Sequence, residues 1–568
     1  MLKHIFTLVH ETNMLKSVIP RIKDWPINLI AQKKEKILQE TISESVLEFN
    51  KSYPTLNQLR EQLQKTLYLE NIRIRSESWE VDPEDEGEFW KKVKKRLLEA
   101  DPNKIDEDKS KVLHQELLQD IMSRYANEIV AHFNPNMFWF ARQLLVRFFS
   151  RLFNSYFGGL SGIFKPQDEL KDKLVVAGPV EKLRQLSLKG TIVLVPTHFS
   201  NLDSAIIGFG MDYIGMPAFQ YGAGLNLFNS KIFSFFAGKL GAYKLDRRKK
   251  NPIYIETLKS YSKTNILAGA HTIFYPGGTR SRAGNIETDL KLGLLGTVME
   301  AQRIHFEKNP TNLAPKIFVV PLTISYNFVL EASSLITDQL KRTGKEQYLV
   351  HETPQVAGKG IWKFFWETFT KSTDLTLSLS EPMDVFGNKL DDDGNSLDKF
   401  GNKLNIRNYF VNKGKLKADD QREMIYTQML GEKIVEGFFK NNVVYASHVV
   451  TFVAFELLKK KLNNPDLFTL MRTSEEDREI NWDEFKTSVK RVIDELYMLN
   501  NREQIKLSPN ITTKELPEII ELGIYNVCIY HTNLPIMRSK EGNITSEDLK
   551  LLYYYHNRLL GYGLHKFI

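Results

Sequence analysis

The chain has 568 residues, 77 Lys and Arg against 69 Asp and Glu, a formal charge of +8 and a pI near 9.0. Hydrophobic residues at 42% and charged residues at 26% are ordinary for a globular protein, which excludes wholesale disorder and collagen-like or mucin-like classes. A single cysteine, Cys528, excludes an intrachain disulfide framework and a cysteine-rich zinc site, and the surplus positive charge points to nucleic acid, an anionic membrane surface or a phosphorylated small molecule as partner.

At roughly 150 residues per domain, the length predicts two to four domains. The apolar run within Met1–Glu11 is too short for a secretory signal, and no small-residue cleavage site follows it. No uncharged apolar stretch reaches the ~18 residues of a spanning helix. The nearest, Val443–Leu458, is interrupted by Ser447, His448 and Glu456 and reads as a buried helix. The expected location is cytoplasmic, or peripheral on the cytoplasmic face of a membrane.

Residues 1–165 read as a helical N-terminal region ending in a basic aromatic segment. From Asp24 to Pro135 the helical spacing places Val112, Leu117, Ile121 and Tyr125 together, and the acidic stretch Asp82–Glu88 reads as a loop between helices. The window 136–165 is aromatic-rich and contains Arg142, Arg147, Arg151 and Lys165 but no acidic residue. Two readings stay open for it: an interfacial helix on anionic lipid, or a helix packed on the next domain, with Arg142 projecting toward the apolar face.

Residues 166–385 alternate strand and helix patterns. Thr191–Pro196, His271–Pro276 and Ile317–Ile324 are short apolar, β-branched runs separated by helical segments, which predicts an α/β domain with both sheet faces covered. Residues 386–568 read as a polar loop followed by a helical C-terminal region. Across the boundary, Asp384–Leu390 recurs as Asp398–Leu404, with Asp391–Asn395 between the copies. The spacing fails an EF-hand, because position twelve is Phe400, and a surface hairpin or polar loop is expected.

Two of the strand-like runs end in unusual polar residues, where open α/β sheets place ligands. Thr197-His198-Phe199-Ser200-Asn201-Leu202-Asp203 follows the first. Asn201 is a candidate helix cap, and Asp203, in the first turn, is placed to fold back on His198. A carboxylate on one ring nitrogen leaves the other free as a base; a surface His beside a helix-capping Asp is the alternative. Gly277-Gly278-Thr279-Arg280-Ser281-Arg282 follows the second run, and its guanidinium forks and exposed amides suit phosphate. A plain basic turn is the competing reading. Asp246-Arg247-Arg248-Lys249-Lys250, taken alone, reads as a solvated basic loop.

Together these segments resemble the glycerol-phosphate acyltransferases with their His-four-residues-Asp motif. His198 and Asp203 match the first block, Gly241–Arg247 resembles the second, Tyr275–Ser281 the third, and Val319-Val320-Pro321-Leu322 the fourth, in family order over about 130 residues. The larger glycerol-3-phosphate acyltransferase branch is the more similar, and Tyr426-Thr427-Gln428 and Asn441–Val450 look like its C-terminal part. The resemblance implies a mixed sheet flanked by helices, with large helical N- and C-terminal regions. It implies an O-acyltransferase of phospholipid biosynthesis in which His198 is the base and Asp203 its support. Arg247, Gly278, Thr279, Arg280, Ser281, Arg282 and Pro321 would bind substrate. It calls for acyl-CoA or acyl-carrier protein as donor and glycerol 3-phosphate or a related phosphorylated acceptor, at an anionic membrane surface. No metal, no cofactor and no nucleic acid are expected.

One departure stands out: the third block normally carries Glu where this chain has Gly277. The expected consequence is an altered acceptor geometry, a replacement from elsewhere, or a weakened enzyme. Lysophosphatidate or another lipid hydroxyl as acceptor, and a catalytically weak lipid-binding protein, are the alternatives.

Overall fold

The computed structural model describes residues 15–79, 81–142, 174–225, 238–309, 314–343 and 375–568. Helices α1 (Pro26–Gln32), α2 (Lys34–Ser52), α3 (Leu56–Ser76), α4 (Glu86–Glu99) and α5 (Glu107–Ile129) come first. Two of these starts are capped by side chains: Thr55 and Gln58 form a reciprocal capping box on α3, and the Asp106 carboxylate accepts from the Asp108 and Lys109 amides on α5. Leu117, Leu118, Ile121, Met122 and Tyr125 form the buried stripe of α5. Val112 does not belong to it and is 56% exposed, since five residues of helix put it about 140° away from Leu117. The acidic stretch is only partly loop, because α4 begins at Glu86, and Asp82 and Glu86 are ion-paired with buried Arg73.

The α/β region follows as β1 (Leu174–Ala177), α6 (Val180–Ser187), β2 (Gly190–Pro196), α7 (Asp203–Tyr213), β3 (Gln220–Gly224), β4 (Ala242–Leu245), α8 (Pro252–Leu267), β5 (Thr272–Ile273), α9 (Leu292–Lys308), β6 (Lys316–Tyr326), α10 (Ala332–Arg342) and β7 (Leu375–Leu379). The seven strands lie in the order β1-β7-β6-β2-β5-β3-β4. The sheet is mixed: β2 to β6 run parallel, whereas β7 is antiparallel to β6 and carries β1 with it. Both faces are covered, as the strand alternation requires. Ile192 and Leu194 of β2 and Phe318 and Val320 of β6 enter one apolar cluster, with Ile206 and Ile207 of α7; Val193, Val195, Ile317 and Val319 enter the other, with Leu295 and Val298 of α9.

Helix α8 bridges to the N-terminal helices. Its cap, Asn251, accepts from the Tyr254 amide while its own amide group donates to Glu70 and to the Tyr125 hydroxyl. The basic run before it is not a solvated loop. Arg248 donates to Asp82, Asp246 and the Glu77 carbonyl, and Lys249, 4% exposed, pairs with Glu128 over the Tyr125 ring. Arg247 and Lys250 are the exposed members of that run. Residues 135–142 are helical, and Arg142 pairs with Asp212 of α7 at 2.7 Å. Arg147, Arg151 and the rest of the aromatic segment lie outside the described residues.

The repeated segment holds three copies rather than two. Asp384, Asp391 and Asp398 each open a turn in which the carboxylate accepts from the amides two and four residues on and from the Asn side chain at the fourth position. Gly387, Gly394 and Gly401 supply positive φ at the same place in each. The period is seven, Asp-x-x-Gly-Asn-x-Leu, and the carboxylates are spent on their own turns. Helix α11 (Asp420–Lys440) sends Leu430, Ile434 and Phe438 into the sheet cluster of Val193 and Val319, and α12 (Ala446–Lys461), α13 (Trp482–Asn501), α14 (Leu516–Cys528) and α15 (Leu549–His556) build a large apolar cluster that reaches the sheet end through Phe199 and Phe328. Among the described residues no helix is long and apolar enough to cross a membrane.

Candidate active site

Strand β2 runs between β6 and β5 and delivers the chain into the turn 197–202. The turn is fastened to β6: the Thr197 amide donates to the Leu322 carbonyl at 2.9 Å, and its hydroxyl accepts from the Ile324 amide at 3.0 Å. His198 follows, and its Nδ1 lies 2.7 Å from Oδ2 of Asp203, the first residue of α7. The Asp203 carboxylate is wholly buried and takes four donors: His198 Nδ1, the amides of Phe199 and Ser200 at 2.7 and 3.0 Å, and the Tyr326 hydroxyl on Oδ1. Bonding to an acceptor-only carboxylate puts the ring proton on Nδ1 and leaves the Nε2 lone pair for a substrate. His198 keeps 13% of its side chain exposed, so a small molecule can meet that nitrogen.

Asn201 is not the helix cap. Its amide donates to Glu331, Leu202 occupies the cap position, and the turn is closed by the Asp203 carboxylate. Glu331, just before α10, accepts from the Ser200 hydroxyl and the Asn201 amide, both at 2.9 Å, and from Arg280 at 3.3 Å. It therefore joins the first and third blocks. A second joint is the Ser281 amide, which donates to the His198 carbonyl at 2.7 Å. Tyr275 completes the assembly by stacking on the His198 ring at 4.1 Å, its hydroxyl bonded to Ser204 at 2.9 Å. Burial, and after it the Asp203 charge, drive the Tyr275 and Tyr326 phenols well above the ordinary tyrosine range, so both stay neutral.

The third block turns tightly. Gly278 sits at φ +70°, and its amide donates to the Tyr275 carbonyl at 3.0 Å. Beyond it, Arg282 donates to Asp338 and to the Thr279 hydroxyl, and the Ser281 hydroxyl donates to the Asn285 carbonyl. Arg247 arrives from the end of β4 on the other side. Its guanidinium is pushed below the usual arginine range by desolvation first, and then by the nearby positive charges of Arg282 and Arg280. Three guanidiniums thus share one neighbourhood, and Arg247 makes no hydrogen bond or ion pair with another described residue. Such a cluster favours a dianionic group. Pro321 is elsewhere: it is buried in β6, its carbonyl accepts from the Ser380 amide, and its ring faces Gly437 of α11.

The space a side chain would take at position 277 is occupied. A methyl built on Gly277 would overlap the carboxyl of Glu287, which reaches back from ten residues downstream. Glu287, Glu331 and Tyr326 escape a reading by motif, and Tyr275, though part of the third block, gives no sign there of its stacking on His198. Only the missing side chain at Gly277 hints that something fills its place.

Residues 174–325 match the Acyltransferase family model. Residues 174–325 form an acyltransferase domain. The relatives include a glycerol-3-phosphate acyltransferase of Alteromonas mediterranea, 26% identical over 43% of this chain and 26% of its own length. The dihydroxyacetone phosphate acyltransferase of Mus musculus is 29% identical over 38% of this chain and 29% of its own, and a glycerol-3-phosphate acyltransferase of Pseudomonas paraeruginosa is 24% identical over 43% and 26%. The match therefore spans little more than a quarter of these relatives. In the acyltransferase domain, β6 is backed by the C-terminal helices: His448 bonds the Tyr326 carbonyl at 2.7 Å, and buried Arg558 donates to the Ile324 carbonyl, Ser325 and Asn442.

Proposed function

We propose that this chain is an O-acyltransferase moving a fatty acyl chain from acyl-CoA or acyl-carrier protein to the hydroxyl of glycerol 3-phosphate, within phospholipid synthesis. The observation that carries this reading is the His198–Asp203 pair at the carboxyl end of β2, joined through Ser281 and Glu331 to the block that holds Arg280 and Arg282. His198 Nε2 takes the proton of the acceptor hydroxyl as its oxygen attacks the thioester carbonyl carbon. Asp203 holds the ring and stabilises the imidazolium. The tetrahedral intermediate then breaks its C–S bond, an ester remains, and the thiol leaves with the proton from His198. Arg247, Arg280 and Arg282 bind the acceptor phosphate, and backbone N–H groups of the turn that follows Gly278 steady the oxyanion. The reaction requires no metal or redox group.

The relatives' names, glycerol-3-phosphate and dihydroxyacetone phosphate acyltransferase, fit a phosphorylated three-carbon acceptor. Trp139 and Phe140, 54% and 50% exposed at the start of the basic aromatic segment, support docking on a membrane surface, and the anionic lipid and the cytoplasmic face belong to the same proposal. The test is a panel of glycerol 3-phosphate, dihydroxyacetone phosphate and lysophosphatidate against one acyl-CoA and one acyl-carrier-protein donor, read by mass spectrometry. Ester formation on glycerol 3-phosphate is expected. Failure of every pair overturns the reading, and a better acceptor corrects its substrate.

A further inference from the structure

An unexplained buried group beside the third block is Glu287. It is 9% exposed and lies in the loop between the Gly277–Arg282 turn and α9. Neither carboxyl oxygen completes a hydrogen bond, although the Gly277 amide approaches it. Burial, followed by the Asp203 charge, pushes this carboxyl up to about 8, so near neutral pH it is mostly the uncharged acid, both a donor and an acceptor. It lies against Gly277, two residues beyond the Tyr275 ring that stacks on His198, which places it beside the His198 assembly. A buried carboxyl without partners costs folding energy, and this one has room only because position 277 has no side chain. Gly277 itself has an ordinary negative-side or extended backbone and needs no glycine for its conformation. The bare α-carbon serves the carboxyl.

We propose that Glu287 binds the acceptor: its carboxyl, seated on the bare face of Gly277, hydrogen-bonds a hydroxyl of the polyol phosphate and fixes it beside His198. This rests on the acyl-transfer reading. It makes Gly277 and Glu287 one functional unit, in which a side chain from residue 287 works where residue 277 has none. The phosphate goes to the guanidiniums and the polyol end to Glu287, so the two ends of the acceptor are held separately.

The experiment is steady-state kinetics of the full chain with acyl-CoA and glycerol 3-phosphate, each varied in turn. Glu287→Ala should raise the acceptor KM at least about tenfold, the worth of one buried hydrogen bond, with the thioester KM unmoved. Glu287→Gln keeps the shape and the hydrogen bonding of the neutral acid and should stay within about threefold of wild type. Gly277→Ala leaves the carboxyl in the chain but pushes it aside, so it should copy the Glu287→Ala defect and serve if that variant folds poorly. The double variant should lose no more than either single one. An unchanged acceptor KM in Glu287→Ala, or losses that simply add, overturns the role of Glu287 while the acyl-transfer reading stands. A wild-type chain that acylates no acceptor overturns the reading beneath it.

Discussion

Among the described residues lie two histidine–carboxylate pairs of equal length, and they have opposite characters. His198 Nδ1 is 2.7 Å from Asp203, and His556 Nε2 is 2.7 Å from Glu456. The second ring is spent: its Nδ1 bonds Asn557 at 2.9 Å, Phe452 and Phe455 enclose it, and 4% of the side chain is exposed. The first has one nitrogen left over and 13% exposure. The neighbouring arginines repeat the contrast: Arg248 is saturated by Asp82, Asp246 and a carbonyl, whereas Arg247 faces only other cations of the cluster. Chemistry is available where hydrogen-bonding capacity is incomplete, not wherever an imidazole meets a carboxylate.

The sharpest way to break that contrast is to truncate both rings. His198→Ala should lower acyl transfer by about 100-fold or more, the usual worth of a general base, while the unfolding midpoint barely moves. His556→Ala should do the reverse. It opens a cavity and strands Glu456, a loss of about 2–4 kcal/mol in denaturant melts, with the turnover of the folded fraction kept. Comparable activity losses in the two would erase the distinction. The arginines come next. Arg247→Ala should raise the acceptor KM by about 30-fold, the range of a charged hydrogen bond to phosphate. Arg248→Ala should leave KM alone and cost about 3 kcal/mol of stability, because it uncovers buried Asp82 and Asp246.

Much of this was legible from residue pattern. The runs at 191–196 and 317–324 are strands because β-branched and apolar residues fill both faces of a covered sheet, and the polar residues after them mark its carboxyl edge. Helical phase was readable only where the stripe was complete: Leu117, Ile121 and Tyr125 are buried, and Val112, out of phase, is not. The third copy of the seven-residue turn was hidden because Asp391-Asp392-Asp393 looks like an acidic loop, whereas only the first Asp of each copy matters to the turn. Arg248 and Lys249 read as solvated because their partners, Asp82 and Glu128, come from a distant stretch of chain. Glu331, Tyr326 and Glu287 are invisible for the same reason. Glu331 and Tyr326 reach the His198 turn, and Glu287 reaches Gly277, from outside any local motif, and only the topology brings them together.

The support beneath the pair should grade with distance from the reacting nitrogen. Tyr326→Phe removes one of four donors to Asp203 and should lower kcat about tenfold with the acceptor KM unchanged. A loss as large as that of His198→Ala would mean that the phenol itself touches substrate.

Ser204→Ala lies one step further out and should have the smallest effect. The Ser204 hydroxyl bonds Tyr275, whose ring stacks on His198. Without it the Tyr275 hydroxyl loses a partner inside the domain, a cost of about 1 kcal/mol at most. The ring stays clamped by its neighbours, so kcat should fall only about threefold and both KM values should hold. Tyr275→Leu separates the two ways this bond can act, because it keeps bulk beneath the imidazole but removes the stacking face and the hydroxyl together. If Ser204→Ala equals Tyr275→Leu, the hydroxyl contact orients the ring. If Tyr275→Leu is much worse, the stacked face positions His198, and the hydroxyl merely satisfies itself.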